Sequence, residues 1–246
     1  MANEALDSRR PAIAWCLALT VLASLAPVLP ALAGDVAGTV RLGGPVPSAG
    51  VVRATTDLAV CGATPRPAVP LRLASDNGLA DAVVFIAHER LDAWRVPAAT
   101  FVMDQRGCEF VPRLLVIPPG ATLEVRNSDR LLHTFHTRSE LNPRMNLAQR
   151  AGDRPLHVRF ERPEFIEVIC DVHGTGFMRA WIVVAAHPYY AVTDAIGRFR
   201  LPGVPQGPHT LAVWHERLGR VTAPVTVGPE GEVRLDILFP PVEERK

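Results

Sequence analysis

The chain has 246 residues and a formal net charge of +1 at neutral pH. That length allows one large or two small domains, and the even charge balance, with no Lys/Arg cluster, argues against a nucleic-acid surface. Hydrophobic residues make up 48 % of the chain, and 23 Pro and 18 Gly stand beside many short β-branched runs, a pattern of short strands joined by turns rather than long helices.

The N-terminus reads as a targeting segment. Arg9 and Arg10 precede an apolar run over residues 11–28, and Ala31-Leu32-Ala33 follows as a small-x-small cleavage site. Residues 1–33 are therefore expected to be a secretory signal that is removed, leaving Gly34 as the mature start and placing the protein in the periplasm or otherwise outside the cytoplasm. The alternative is an uncleaved anchor, against which Pro27 and Pro30 break the run. Ser8-Arg9-Arg10 hints at twin-arginine export. No later segment is apolar for long enough to span a bilayer, so no stable membrane anchor is expected after cleavage. Export changes the reading of the cysteines. The mature chain keeps Cys61, Cys108 and Cys170, and in an oxidising compartment an odd number leaves one thiol without an internal partner.

Strand signals follow in order. Residues 38–42 alternate, and Gly43-Gly44-Pro45 ends them. Residues 44–70 look loop-like. Residues 82–87 form an apolar run suited to a strand covered on both faces, and 91–97 read as a turn. Further strands are expected at 101–103, 114–117, 122–126, 156–160, 165–169 and 180–184, with Pro118-Pro119-Gly120 as a hairpin or corner. Residues 139–149 read as a short helix or an irregular loop. Beyond Tyr189 come strands near 191–194, 198–201, 211–214, 221–227 and 233–238, with turns at Gly197 and over 202–207.

The segment Cys170-Asp171-Val172-His173-Gly174-Thr175-Gly176-Phe177-Met178 carries the strongest chemical signal. It offers a thiolate, an imidazole and a thioether from one turn between two strands. A type-1 copper site uses one Cys, two His and a weak axial Met. Gly174 and Gly176 give that turn the backbone freedom to bring the ligands together. The remaining nitrogen must come from elsewhere. His133 is expected in a loop just past the strand 122–126, and His136 is the competing donor. No Cys-x-x-Cys pair points to structural zinc, and no orienting partner can be named for a Cys170–His173 nucleophile. His88, His157, His187, His209 and His215 read as surface or satisfied core residues.

With those residues in view, the stretch 101–185 resembles the plastocyanin- and amicyanin-like cupredoxins. They share an upstream Asn turn leading to a first His, here Asn127 and His133, and a later Cys-x-x-His-x-x-x-x-Met loop, here Cys170, His173 and Met178. Phe110, Pro112, Leu114, Gly120 and Val125 also fall where that family has its early strands. The resemblance implies a Greek-key β-sandwich with His133, Cys170, His173 and Met178 as ligands to one copper ion. One departure stands out: Thr134 follows the first His, where plastocyanins have Asn. With Cys170 surrounded by ligand neighbours, parity pairs Cys61 with Cys108 as a disulfide.

Residues 193–211, with turn glycines at Gly197 and Gly207 and core candidates Phe199, Leu201, Val204 and Leu211, resemble a carboxypeptidase regulatory-like, transthyretin-type β-sandwich. That family implies no catalysis. The pairing resembles periplasmic proteins labelled methylamine-utilisation proteins. The expectation is an all-β chain: a signal (1–33), an N-terminal β segment (34–96), a cupredoxin (97–186) and a smaller second sandwich (187–246). The first and last β parts could form one split sandwich. The expected function is non-enzymatic one-electron transfer to a redox partner protein. The alternatives are copper delivery with the same ligands, or a metal-free structural module.

Overall fold

The computed structural model describes residues 33–46, 48, 50–87, 99–174 and 176–241. The expected signal, apart from Ala33, and the expected turn at 91–97 lie outside these residues, as does His88. The fold is nearly all β, and the helix Leu58–Cys61 is a single turn. Among the described residues no helix is long and apolar enough to cross a membrane.

Two sheets enclose the first core. One has five strands in the order Asn146–Gln149, His133–Arg138, Glu164–Ile169, Arg179–Val184 and Leu114–Ile117. The other has Leu156–Val158, Thr122–Asn127, Thr100–Gln105 and Phe110–Val111. The pleat sends alternate residues to opposite faces. Ile166, Val168 and Cys170 therefore point inward from one strand and Met178, Ala180, Ile182 and Val184 from its neighbour, all into one buried cluster. Phe110 and Phe135 meet edge to face across this core, their ring centroids 6.4 Å apart, a geometry worth about 0.5–1.5 kcal/mol beyond area burial. Residues 118–120 link strands of different sheets, so they form a corner rather than a hairpin.

The second core lies between two other sheets. Ala33–Leu42 pairs antiparallel with Arg198–Pro205 and parallel with Glu232–Arg234 and Ile237–Phe239. Val83–Ile86 lies between Tyr190–Val192 and Gly207–His215, and Gly219–Val227 completes that sheet. Strands from both ends of the chain thus share one core, which includes Val36, Val40, Ile86, Leu201, Leu211 and Phe239. Gly38 permits the closest approach: a Cβ there would lie 2.0 Å from the Leu235 carbonyl oxygen. The outward residues Phe165 and Trp181 of the five-stranded sheet meet Trp214, at 4.8 and 5.0 Å between ring centroids. Arg113 pairs with Glu216 beside them.

Four local expectations need correction. Residues 146–149 are a strand, because Asn146–Gln149 hydrogen-bonds along His133–Arg138. The strand from Arg198 runs on to Pro205, since Val204 and Pro205 still pair with Gly34 and Ala33. Residues 44–70 contain the small ladder of Val51–Val52 with Arg66–Pro67 as well as the one-turn helix. His133 opens a strand instead of lying in a loop.

Candidate metal centre

Strand parity places the first histidine. In His133–Arg138 the residues His133, Phe135 and Thr137 are buried, while Thr134, His136 and Arg138 face out. The turn before it is built by Asn127. Its side-chain amide donates to the Leu131 and Gln149 carbonyls at 2.9 Å each, and its Oδ1 accepts the Asp129 amide. These bonds close the chain reversal that delivers His133 inward.

The ligand loop is fixed at both ends. Cys170 and Met178 leave adjacent antiparallel strands on the core side, and the Cys170 amide donates to the Met178 carbonyl at 3.1 Å. Between them Gly174 adopts φ +85°, which an L side chain rarely tolerates. Its carbonyl accepts the amides of Phe177 and Met178. The loop thereby folds back and returns Met178 to the core.

Three donors converge. His133 Nδ1 and His173 Nδ1 are 3.1 Å apart, and Cys170 Sγ lies 3.8 Å from the first and 3.7 Å from the second. His133, Cys170 and Met178 are fully buried, and His173 is nearly so. Each imidazole is oriented from behind. His133 Nε2 lies 2.9 Å from Asp129 Oδ2, and His173 Nε2 lies 3.1 Å from Asp57 Oδ2. A carboxylate accepts, so each Nε2 is the protonated nitrogen and each Nδ1 is left as a lone-pair donor. Two such lone pairs at 3.1 Å, with a sulfur beside them, repel unless a proton or a cation is shared between them.

The electrostatics agree. Burial opposes ionisation of Cys170, but a proton taken up at His133 Nδ1, the Thr134 amide and His173 outweigh it and bring the thiol down to about 6. Burial likewise opposes a charged His133, and its contacts with Cys170 and Asp129 outweigh that and raise its proton affinity. Asp129 stays ionised more easily than an ordinary carboxylic acid. Burial works against this, and the amides of Cys108 and Gly107, with His133, overcome it.

Thr134 joins the strand to the loop beside the sulfur. Its amide points at Cys170 Sγ at 3.4 Å, and its hydroxyl accepts the Asp171 amide at 2.8 Å. The strand and the ligand loop are thus tied together next to the sulfur. His136 is not in the cluster; its Nδ1 lies 2.9 Å from Asp171 on the outer face. His187 and His209 bond the carbonyls of Ile86 and Pro205. His215 is buried and accepts the Arg217 amide. His157 is mostly exposed, 3.8 Å from Glu124.

The disulfide joins Cys61 to Cys108, and Cys170 is the free cysteine among the described residues. The bridge anchors residues 50–67 over the ligand loop. Val52, Ala54 and Cys61 pack on the first core. Arg66 stacks on the Phe177 ring at 3.7 Å, donates to the carbonyls of Cys108 and Phe177, and pairs with Glu109. Sequence reasoning missed Asp57, Arg66 and Asp129. For Asp129 a local signal existed, the Asn127-Ser128-Asp129 turn beside the first His. Asp57 lies 116 residues from His173, and no pattern in the sequence links them.

No family model and no curated protein matches the chain. Among solved structures, amicyanin from Paracoccus versutus is 17 % identical, covering 42 % of this chain and 97 % of that one at a TM-score of 0.32. A purple cupredoxin from Nitrosopumilus maritimus is 20 % identical, covering 35 % and 99 % at a TM-score of 0.29. A copper-containing nitrite reductase from Thermus scotoductus is 21 % identical at a TM-score of 0.32; the match covers 39 % of this chain and spans only 25 % of the reductase.

Proposed function

We propose that this is an exported copper protein that carries single electrons, with no catalytic activity of its own. His133, Cys170, His173 and Met178 would hold one copper ion of the type-1 kind. The observation that carries this reading is the meeting of two imidazole Nδ1 atoms and one sulfur in a buried pocket, each pair within 3.8 Å. Thiolate and imidazole suit both copper oxidation states, which is the redox chemistry the metal would supply. The protein's part is to hold the donors still. Both Nε2 atoms are fixed on carboxylates, Thr134 ties the strand to the loop beside the sulfur, and His133, Cys170 and Met178 sit at or next to strand ends. A full set of protein ligands leaves no open position for a substrate.

The export route, the periplasmic location and a redox partner protein belong to the same proposal. So does the reading of residues 34–96 and 187–246 as a split regulatory-like sandwich with a cupredoxin set into it, supported by the pairing of Ala33–Leu42 with Arg198–Pro205.

Copper titration of single variants tests the site. Cys170→Ser abolishes the intense thiolate-to-copper colour. His133→Ala weakens binding or opens the centre to an external ligand. Met178→Leu retains copper and raises its potential, because a weak donor to the oxidised ion is lost. Full colour in Cys170→Ser would refute the assignment. Copper storage or delivery with the same ligands is a second reading. It is favoured by the covering of His173, whose Nε2 edge meets Asp57 and so offers no open face to a redox partner. Binding of copper only in the reduced state, with no coloured oxidised form, would select it.

A further inference from the structure

The Cys61–Cys108 bridge is not remote from the donor cluster. A sulfur from each cysteine and a ring nitrogen of His173 all lie within 4.8 Å of one another. The Cys108 sulfur, an Asp129 carboxylate oxygen and a ring nitrogen of His133 make a second group of the same compactness. A crosslink serving only to shorten the unfolded chain could sit anywhere along its loop. This one lies against both histidines of the candidate centre.

The segment that carries Cys61 has fixings of its own. Asp57, four residues before it, bonds His173, and Arg66, five residues after it, stacks on Phe177 and bonds the Cys108 carbonyl. Cys61 therefore stays beside Cys108 when the S–S bond is open, with the Cα atoms starting 5.1 Å apart. Two thiolates are a soft donor pair, the kind that selects a monovalent copper ion.

We infer that the reduced Cys61–Cys108 pair is a second metal site, specific for copper(I), held by its two thiolates beside His173. The disulfide keeps it closed, and a protein or small-molecule dithiol opens it. Cys61 is half-buried and Cys108 fully buried, so the incoming thiolate attacks the Cys61 sulfur. A mixed disulfide forms there and Cys108 leaves as thiolate. The second thiol of the reductant then attacks its own sulfur in the mixed disulfide and releases Cys61. Two electrons and two protons pass to the protein, and the reductant departs as its disulfide. Copper(I) replaces the two thiol protons on binding. In this arrangement the new site lies beside His173 of the buried cluster, and residues 50–67 are a redox-controlled entry for metal. The inference does not require copper at the His133–Cys170–His173 cluster, and the test separates the two.

The test is anaerobic titration of the mature protein with copper(I) against a chromogenic chelator, before and after reduction by a dithiol that is then removed. The reduced wild-type protein takes up one more equivalent than the oxidised protein. Cys61→Ser lacks the extra equivalent. Cys170→Ser, once reduced, keeps it, even if the cluster around Cys170 binds nothing. Equal uptake in the two redox states overturns the inference. So does an extra equivalent that survives Cys61→Ser. Loss of the near-ultraviolet dichroism of the wild type on reduction also overturns it, because the site depends on Asp57 and Arg66 still holding the segment.

Discussion

Asp57 accepts a hydrogen bond from His173 Nε2 at 3.1 Å, from a segment far away in sequence and brought back by a disulfide. Because the other ring nitrogen of His173 faces Cys170 and His133, this one contact sets both the tautomer and the ring plane of a candidate ligand. Asp57→Ala should therefore lower copper affinity by about ten- to a hundredfold, the usual cost of losing an outer partner of a ligating His. Competition titration checks it. Asp129→Ala should lower affinity at least as much, since Asp129 also holds the amides of Gly107 and Cys108.

His133 and His136 stand on opposite faces of one strand. His136→Ala should leave copper stoichiometry and colour unchanged. It loses only a half-exposed hydrogen bond with Asp171, worth about 0.5–1.5 kcal/mol. His133→Ala should disrupt the site. Parallel titrations with denaturant curves decide the order, and a larger loss of copper in His136→Ala would reverse the assignment.

These two residues also show how far the sequence could be read. With residue 133 in a loop, the sequence does not separate His133 from His136. Once 133–138 is a strand, parity admits only one of them to the core, and the strand is invisible locally because its partner Asn146–Gln149 looked irregular. Cys170 and Met178 were legible for the opposite reason: their spacing and the alternation of the flanking strands are local. The corner at Pro118-Pro119-Gly120 was legible as a break but not as a change of sheet. Asp57 and Arg66 act only through tertiary contacts, so nothing in their own neighbourhood marks them.

Peptide mapping without reductant should recover a Cys61–Cys108 peptide pair and a free Cys170. Replacing both bridge cysteines with Ala should cost about 2–4 kcal/mol of stability, read by chemical denaturation. A bridge involving Cys170 would contradict the ligand assignment.

Glu164 gives a pH prediction away from the centre. Burial opposes its ionisation, but Ser139, the Glu140 amide, Asn142 and the Leu141 amide hold its carboxylate and bring it down to about 2. A folded value below the usual 4.5 means the carboxylate stabilises the fold above that pH. The contribution falls away as pH drops from about 4.5 to about 2. Glu164→Gln should flatten this part of the acid-denaturation curve and lower stability near neutrality, with little effect on metal uptake. An unchanged acid limb would show that the 139–142 loop does not depend on this charge.

The visible spectrum of the disulfide-intact protein, recorded as copper(II) is added, tests the type-1 assignment most directly. An intense thiolate-to-copper band should grow linearly and stop at one equivalent. Copper(II) that leaves the spectrum without such a band, or binds with no defined endpoint, would contradict it.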